Sequence, residues 1–405
     1  MDLRRRFELL TEDARLEREH GIQDALQRPG NPVGIRPVRM PGRGIMNLVR
    51  VMQTNACSLS CGYCPTFAGG RVKRVALAPE EAARVFMDLH RRNVADGLFL
   101  TSGVPGRAVR AMDRMLATLE ILRLRENYRG YIHVKLLPGA EPAQVDAAVR
   151  LASRVSVNLE APGDGYLRHL AREKDFSGDL LPKLERAGSL LRTLRAERRP
   201  DDPPRSGTTT QFVVGAAGER DREILGVVAR LERARLLHHA HFSAFQPVAG
   251  TPFENGTAVP AVREARLYQA EHLLRDYGFR YEELVFDRGG NLPLDDDPKT
   301  AWALAHAGEF PLALETAAPE LLMRVPGIGP KTAAVLANQR RQTLPRGVLD
   351  LRRIGVDASR AAYFLTVRGR RLSDSMPPRQ MRLFPHGEHL TRAAFKTPVP
   401  PCAYR

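Results

Sequence analysis

From about residue 46, short apolar runs alternate with longer amphipathic ones. The runs Met46–Met52, Leu98–Ser102, Tyr131–Leu137, Val155–Glu160, Thr209–Gly215 and His241–Phe245 have the length and composition of strands. Between them, Pro79–Asn93, Arg107–Glu126, Pro142–Ser153, Asp179–Arg198 and Glu219–Arg235 carry apolar residues at helical spacing, and Ala261–Tyr277 follows the sixth run. Six repeats of strand and helix predict a parallel sheet with helices outside it. The pattern fits a partial (β/α) barrel and a doubly wound sheet equally. In both, ligands gather at the C-terminal ends of the strands.

Two breaks interrupt the pattern. Arg199–Gly207 is a proline-rich loop before the fifth strand, and Gly289–Pro298 holds Gly289-Gly290-Asn291 and Asp295-Asp296-Asp297-Pro298. The second break ends the barrel pattern. Residues 312–370 read as short helices only, and the last thirty or so, rich in Pro and Arg, as a tail. The predicted division is a helical extension (1–45), a barrel (46–290), a linker (291–311), a small all-α unit (312–370) and a basic tail (371–405).

Composition narrows the class. The chain of 405 residues is 43% hydrophobic and 27% charged, the balance of a globular protein. No apolar run approaches the ~18 residues of a membrane span. Met1–Glu8 leads into a charged, helix-like segment without the apolar core of a signal peptide. A cytoplasmic protein with no membrane partner is expected. The net charge of +16 and a pI near 10.3 favour a polyanionic partner, with nucleic acid the leading candidate.

Cysteine placement is the strongest chemical signal. Three of the four cysteines form Cys57-x-x-x-Cys61-x-x-Cys64, directly after the first strand candidate and so at the functional end of the sheet. Three thiolates on one loop can hold three corners of a [4Fe–4S] cube and leave the fourth iron open. A structural zinc site would need a second Cys or His pair at finger-like spacing, and the sequence has none.

The string Cys57-x3-Cys61-x-Tyr63-Cys64, with an aromatic residue before the third cysteine, resembles the signature of the radical S-adenosylmethionine (radical SAM) proteins. The resemblance implies a partial (β/α)6 TIM-like barrel, a [4Fe–4S] cluster on Cys57, Cys61 and Cys64, and S-adenosylmethionine (SAM) bound at the open iron. It also implies an external electron donor, a reductase or a flavodoxin or ferredoxin. By the same resemblance, Tyr63 belongs to the cofactor-binding motif. Ser102 and Gly103 stand where the family carries a Gly-Gly-Glu-like turn for the methionyl amino group. Asn158 and Glu160, expected by period-2 alternation to face the same way, fall where the family holds ribose and carboxylate. Gln211 and Gly215 lie on the strand whose glycine motif packs behind the adenine, and Lys135 is a candidate partner for the methionine carboxylate.

Leu321–Leu336, with Val325-Pro326-Gly327-Ile328-Gly329-Pro330-Lys331-Thr332 at its centre, has the form of a helix-hairpin-helix. Pro326, Gly327, Gly329, Lys331 and Thr332 are the candidate nucleic-acid contacts. N–H groups of such a turn and of the following helix make a phosphate site that holds the backbone without reading sequence. Leu351–Val356 followed by Arg360–Phe364 looks like a degenerate second hairpin packed on the first. Between Arg324 and Arg371 stand eleven Lys or Arg and two Asp, Asp350 and Asp357.

Together these features resemble the radical SAM proteins of DNA modification and repair that carry a C-terminal helix-hairpin-helix. Some of those occur beside a uracil-DNA-glycosylase-like partner. DNA is the implied substrate. The same chemistry on tRNA or rRNA, and a non-catalytic iron–sulfur protein that binds nucleic acid or senses redox state, are the alternatives. Other residues are read as ordinary: Asp350 as a local cap, His238, His239 and His241 as strand residues rather than metal ligands, Asp295–Asp297 as a turn, and Cys402 as an incidental thiol.

Overall fold

The computed structural model describes residues 1–14, 34–40, 44–197, 205–340 and 343–375. Cys402, most of the proline-rich loop before the fifth predicted strand and nearly all of the predicted tail lie outside them. The chain divides into two compact units, residues 1–271 with 288–292 and residues 272–287 with 293–405.

The first unit begins with α1 (Leu3–Asp13), capped by the Asp2 carboxylate, which accepts from the Arg5 amide. Strands β1 (Ile35–Met40) and β2 (Gly44–Met52) pair antiparallel. The alternation then runs α2 (Pro79–Arg91), β3 (Gly97–Thr101), α3 (Ala108–Glu120), β4 (Tyr131–Lys135), α4 (Pro142–Leu151) and β5 (Arg154–Ser156). It continues through α5 (Asp164–Leu170), α6 (Leu181–Ala196), β6 (Gly207–Val214), α7 (Asp221–Arg233), β7 (His239–Ala244) and α8 (Ala261–Asp276). One seven-stranded sheet results, in the order β1 to β7, with β2 to β7 all parallel. The sequential order lacks the reversal of a doubly wound sheet and makes an open, curled half-barrel. The partial barrel is therefore the correct one of the two predicted architectures.

The sequence explains both faces of the sheet. Alternate residues Val49, Val51, Leu98, Leu100, Ile132 and Val134 share one face and are almost wholly buried. The residues between them form register rows on the other face. Arg50, Phe99, His133 and Arg154 make one row, and Ser156, Thr209 and His239 lie in the next, with Lys135 opposite Ser156. Phe99 and His133 meet edge to face at 4.7 Å, as neighbours on one face must. The free edge of β7 is covered by α8: the Tyr268 hydroxyl accepts from the Phe242 amide at 3.1 Å and Glu264 from the Ala244 amide at 2.8 Å.

Several expectations need correction. The extension predicted to be helical also contributes β1, an edge strand, which tolerates Pro37 because its N–H side need not pair. The fourth predicted strand stops at Ser156 instead of reaching Glu160. The helix α5 was not predicted at all; its seven residues begin beside Gly163 and Gly165, too short for a periodic signal.

The second unit holds α9 (Pro298–Ala305), β8 (Leu312–Ala313), α10 (Pro319–Leu322), α11 (Pro330–Gln339), α12 (Val348–Arg353), α13 (Ala358–Ala361), β9 (Leu365–Val367) and β10 (Arg370–Arg371). It is not all-α, because β8, β9 and β10 form a small sheet. The residues predicted as a linker contain α9, started by Asp297, whose carboxylate caps Thr300. Its core includes Leu322, Val325, Ile328, Leu336, Leu351 and Leu365, each fully buried. Each contributes roughly 1.5–3 kcal/mol of burial.

Candidate active site

The cysteine loop leaves β2 and stays close to the chain beyond β3. Gln53 donates to Thr101 O at 2.7 Å, Gly103 to Thr54 O at 2.7 Å and Ser58 to Val104 O at 2.8 Å. These bonds bring the predicted Ser102 and Gly103 beside Cys57, whose Sγ accepts from the Val104 amide at 3.4 Å. The Ser102 hydroxyl donates to its neighbour's carbonyl, Gly103 O, at 2.7 Å. Within the loop, Cys64 donates to Cys61 O at 3.2 Å and Phe67 to Cys64 O at 3.1 Å. The Cys64 thiol lies 3.1 Å from the Thr66 hydroxyl.

Two further segments clamp the loop. Leu170 O accepts from the Gly62 amide at 2.8 Å. The Glu173 carboxylate accepts from the Ser60 amide at 3.1 Å and from its hydroxyl at 2.8 Å. On another side, Phe253 donates its amide to Gly62 O at 3.0 Å, and its ring lies so close that a Cβ at position 62 would sit 2.5 Å from it. Glycine is required there by the approach of that ring.

Next to the loop lies a buried charge pair. Lys174 Nζ is 2.5 Å from Glu160 Oε1 and 3.5 Å from the Tyr63 hydroxyl, with the Lys174 and Glu160 side chains 5% and 4% exposed. Burial opposes the charge on Lys174, but neighbouring Cys61 and Glu160 hold it charged, above the ordinary lysine value. Burial pushes the Cys61 thiol up to about 12, against the pull of Lys174 and with added repulsion from Glu160, Cys64 and Cys57. The Tyr63 hydroxyl is raised by burial first and then by Glu160 and the thiols. Lys174 escaped the sequence reading because it follows the unpredicted helix α5. The signal available was the string Arg172-Glu173-Lys174, which does not differ from a solvated loop.

The other predicted residues divide. Glu160 adopts a left-handed conformation (φ 64°), a rare choice for a non-glycine residue, and its amide donates to Gln211 O at 2.8 Å. Asn158 instead donates its side-chain amide to Gln211 Oε1 at 3.2 Å, and Gln211 donates to the Ser243 hydroxyl at 2.9 Å. Asn158 and Glu160 both lie beyond the end of β5 at Ser156, and Glu160 still pairs with Phe212 of β6 through an isolated parallel bridge. Lys135 ends β4 opposite Ser156. Gly215 donates its amide to Glu219, whose carboxylate also accepts from Ala217 at 3.2 Å and is raised by burial. His239 pairs with Glu271 at 2.7 Å and meets His241 edge to face.

Residues 51–231, which contain this loop and the Leu170–Lys174 segment against it, match the family described as the Radical SAM superfamily. This segment is a radical SAM domain. No curated protein matches the chain. Among solved structures, the chain is similar to the FeFe-hydrogenase maturase HydG from Carboxydothermus hydrogenoformans, at 18% identity over 56% of this chain and 51% of that one, with a TM-score of 0.43. Similarity to methylornithine synthase (PylB) is 14% over 56% of this chain and 62% of that one, with a TM-score of 0.40. The chain thus spans about half the length of the HydG structure it matches.

Members of the radical SAM superfamily use a [4Fe–4S] cluster and SAM. The residues present fit such a pair. Three thiols share one loop, close enough for Cys57 and Cys64 to perturb Cys61. The buried oxygens Glu160 Oε2 and Thr101 Oγ1 have no hydrogen-bond partner, as expected of groups that await a polar ligand. Among the described residues no three His, Cys, Asp or Glu side chains converge on a single metal-ion position, the three thiols included. The fit to a cluster therefore rests on loop, spacing and surroundings.

In the second unit the predicted turn lies between α10 and α11. Gly327 is left-handed (φ 87°), its carbonyl accepts from the Asp357 amide at 3.0 Å, and a Cβ there would meet Asp357 O at 2.4 Å. Asp357 belongs to the turn between α12 and α13, so the two helix pairs are locked turn to turn. Lys331 and Thr332 fall in the first turn of α11, with Lys331 exposed. Pro326 is buried, and Gly329 lies before the helix. Asp350 accepts from the Arg346 amide at 2.9 Å, the local capping expected of it.

Proposed function

We propose that the chain holds a [4Fe–4S] cluster on Cys57, Cys61 and Cys64, cleaves SAM reductively, and acts on nucleic acid, DNA in the first instance. When bound, cluster and SAM supply a 5′-deoxyadenosyl radical after one electron arrives from a reductase, flavodoxin or ferredoxin. The protein's own residues bind and shield. Lys174, Glu160 and Tyr63 form a polar, water-poor wall beside the cluster loop, suited to a zwitterionic ligand with carboxylate and ribose groups. Ser102 and Gly103 border Cys57, while Lys135 ends β4, Gly215 follows β6, and Asn158 hydrogen-bonds Gln211; these are the groups the reading assigns to the rest of SAM.

Nucleic acid as the target is supported by one observation above all: the Gly327–Asp357 interlock of two helix pairs in a unit rich in Arg. We read this interlock as that of a paired helix-hairpin-helix. Its turns present amides and Lys331 to phosphates without reading bases. A base stacked in a duplex is out of reach of a radical site in a barrel, so the target nucleotide is flipped, damaged or single-stranded. A partner resembling uracil-DNA glycosylase would fit such a role.

Competition between duplex DNA and structured RNA at fixed salt tests the substrate, because salt sets the phosphate contribution. Preference for DNA supports the proposal. Preference for RNA moves the same chemistry to tRNA or rRNA.

A further inference from the structure

One guanidinium ties the two ends of the cysteine loop together. Arg74 NH1 donates to Asn55 O at 2.5 Å and Thr66 O at 2.9 Å, and NH2 donates to Phe67 O at 2.6 Å and Gly70 O at 3.1 Å. Asn55 lies two residues before Cys57, and Thr66 two residues after Cys64. The Thr66 hydroxyl itself touches the Cys64 thiol.

Arg74 is placed for this by its own segment. Asn55 Oδ1 accepts from the Val75 amide at 2.7 Å, Asn55 Nδ2 donates to Lys73 O at 2.8 Å, and Thr54 Oγ1 donates to Val75 O at 2.8 Å. The segment 73–75 is thus fastened to the loop's first residues on either side of Arg74.

We propose that Arg74 is the positioning residue that holds Cys57 and Cys64 ready for the cluster before iron arrives. The proposal rests on the reading that these cysteines carry the cluster. Carbonyl groups in a partly buried loop need donors, and a charged planar donor with a fixed fork satisfies several at once. Four carbonyls, one before the cysteines and three after them, converge on Arg74, so this side chain fixes the two ends of the loop relative to each other. Lysine cannot replace it. Its three donors on one point charge do not span the same set.

The test compares wild type, Arg74→Lys and Arg74→Gln after anaerobic reconstitution. Iron per chain, the rate of iron loss to a chelator, and the electron paramagnetic resonance spectrum of the reduced cluster with and without SAM are read. Arg123→Gln, which removes the donors to Leu151 O, Tyr128 O and Gly130 O without touching the cysteine loop or residues 73–75, controls for general loosening. Both Arg74 variants are expected to release iron about tenfold faster and to show an altered spectrum. Arg123→Gln should lower only the melting temperature. If Arg74→Gln does not fold, Arg74→Lys alone decides. Wild-type iron retention and spectrum in a folded Arg74 variant overturn the inference. Wild-type iron content in the triple Cys57→Ala/Cys61→Ala/Cys64→Ala variant overturns the cluster reading itself and the inference with it.

Discussion

Lys174 and Glu160 form an ion pair, 2.5 Å apart and almost entirely buried, against the loop that carries Cys61. Two charges removed from water in this way are seldom a source of net stability, and breaking one partner leaves the other stranded. On the proposed function, their position beside the cysteine loop suits the pair to receive a ligand that carries both charges.

Lys174→Met should therefore destabilise the iron-free protein by about 3–5 kcal/mol, because Glu160 is left as an unpaired buried charge. The double variant Lys174→Met/Glu160→Met should recover most of that loss. Both should bind SAM weakly. Denaturant titration and equilibrium binding of SAM to the reconstituted protein check the two halves.

Gly62→Ala should cost about 1–3 kcal/mol through collision with the Phe253 ring. Phe253→Ala in the same chain should relieve the collision while leaving the cluster loop without its aromatic cover. Thermal melting is expected to recover in the double variant, and resistance of the reconstituted cluster to air is not.

A pH effect follows from Arg6 and Glu81. The Arg6 guanidinium hydrogen-bonds Glu81 and holds its carboxyl down at about 2, below the ordinary carboxylate range. A depressed folded-state pKa adds stability above the unfolded value, and that stability is lost as pH falls toward about 2. Melting curves between pH 6 and pH 2 should show a smaller acid-induced decline in Glu81→Gln than in wild type.

Lys331→Ala should weaken nucleic-acid binding nearly uniformly across sequences and reduce the salt slope by about 1. SAM cleavage without nucleic acid should be unchanged. Binding isotherms at several salt concentrations measure the first effect. Product analysis measures the second.

Much of this was legible in the sequence, and the exceptions have physical reasons. The six parallel strands announced themselves because their apolar runs are bounded by turns and separated by amphipathic helices. Strand β1 was hidden by Pro37, which argues against a strand unless the strand is an edge. The strands β8, β9 and β10 are two or three residues long, below the length at which alternation can be seen. The cysteine loop was legible because coordination chemistry fixes its spacing. Lys174 was not, since its contact with Cys61 and Glu160 comes from how the α5 segment folds back on the loop. The left-handed backbone of Glu160 was not legible either, since such a conformation is rare for a residue other than glycine.

The central claim is that Cys57, Cys61 and Cys64 together support reductive cleavage of SAM. The direct measurement is 5′-deoxyadenosine released when anaerobically reconstituted protein is given dithionite and SAM, compared with Cys61→Ala treated identically. The account predicts 5′-deoxyadenosine from wild type and none above background from the variant. A wild-type protein that holds its four irons yet releases no 5′-deoxyadenosine, or a variant that releases as much as wild type, would contradict it.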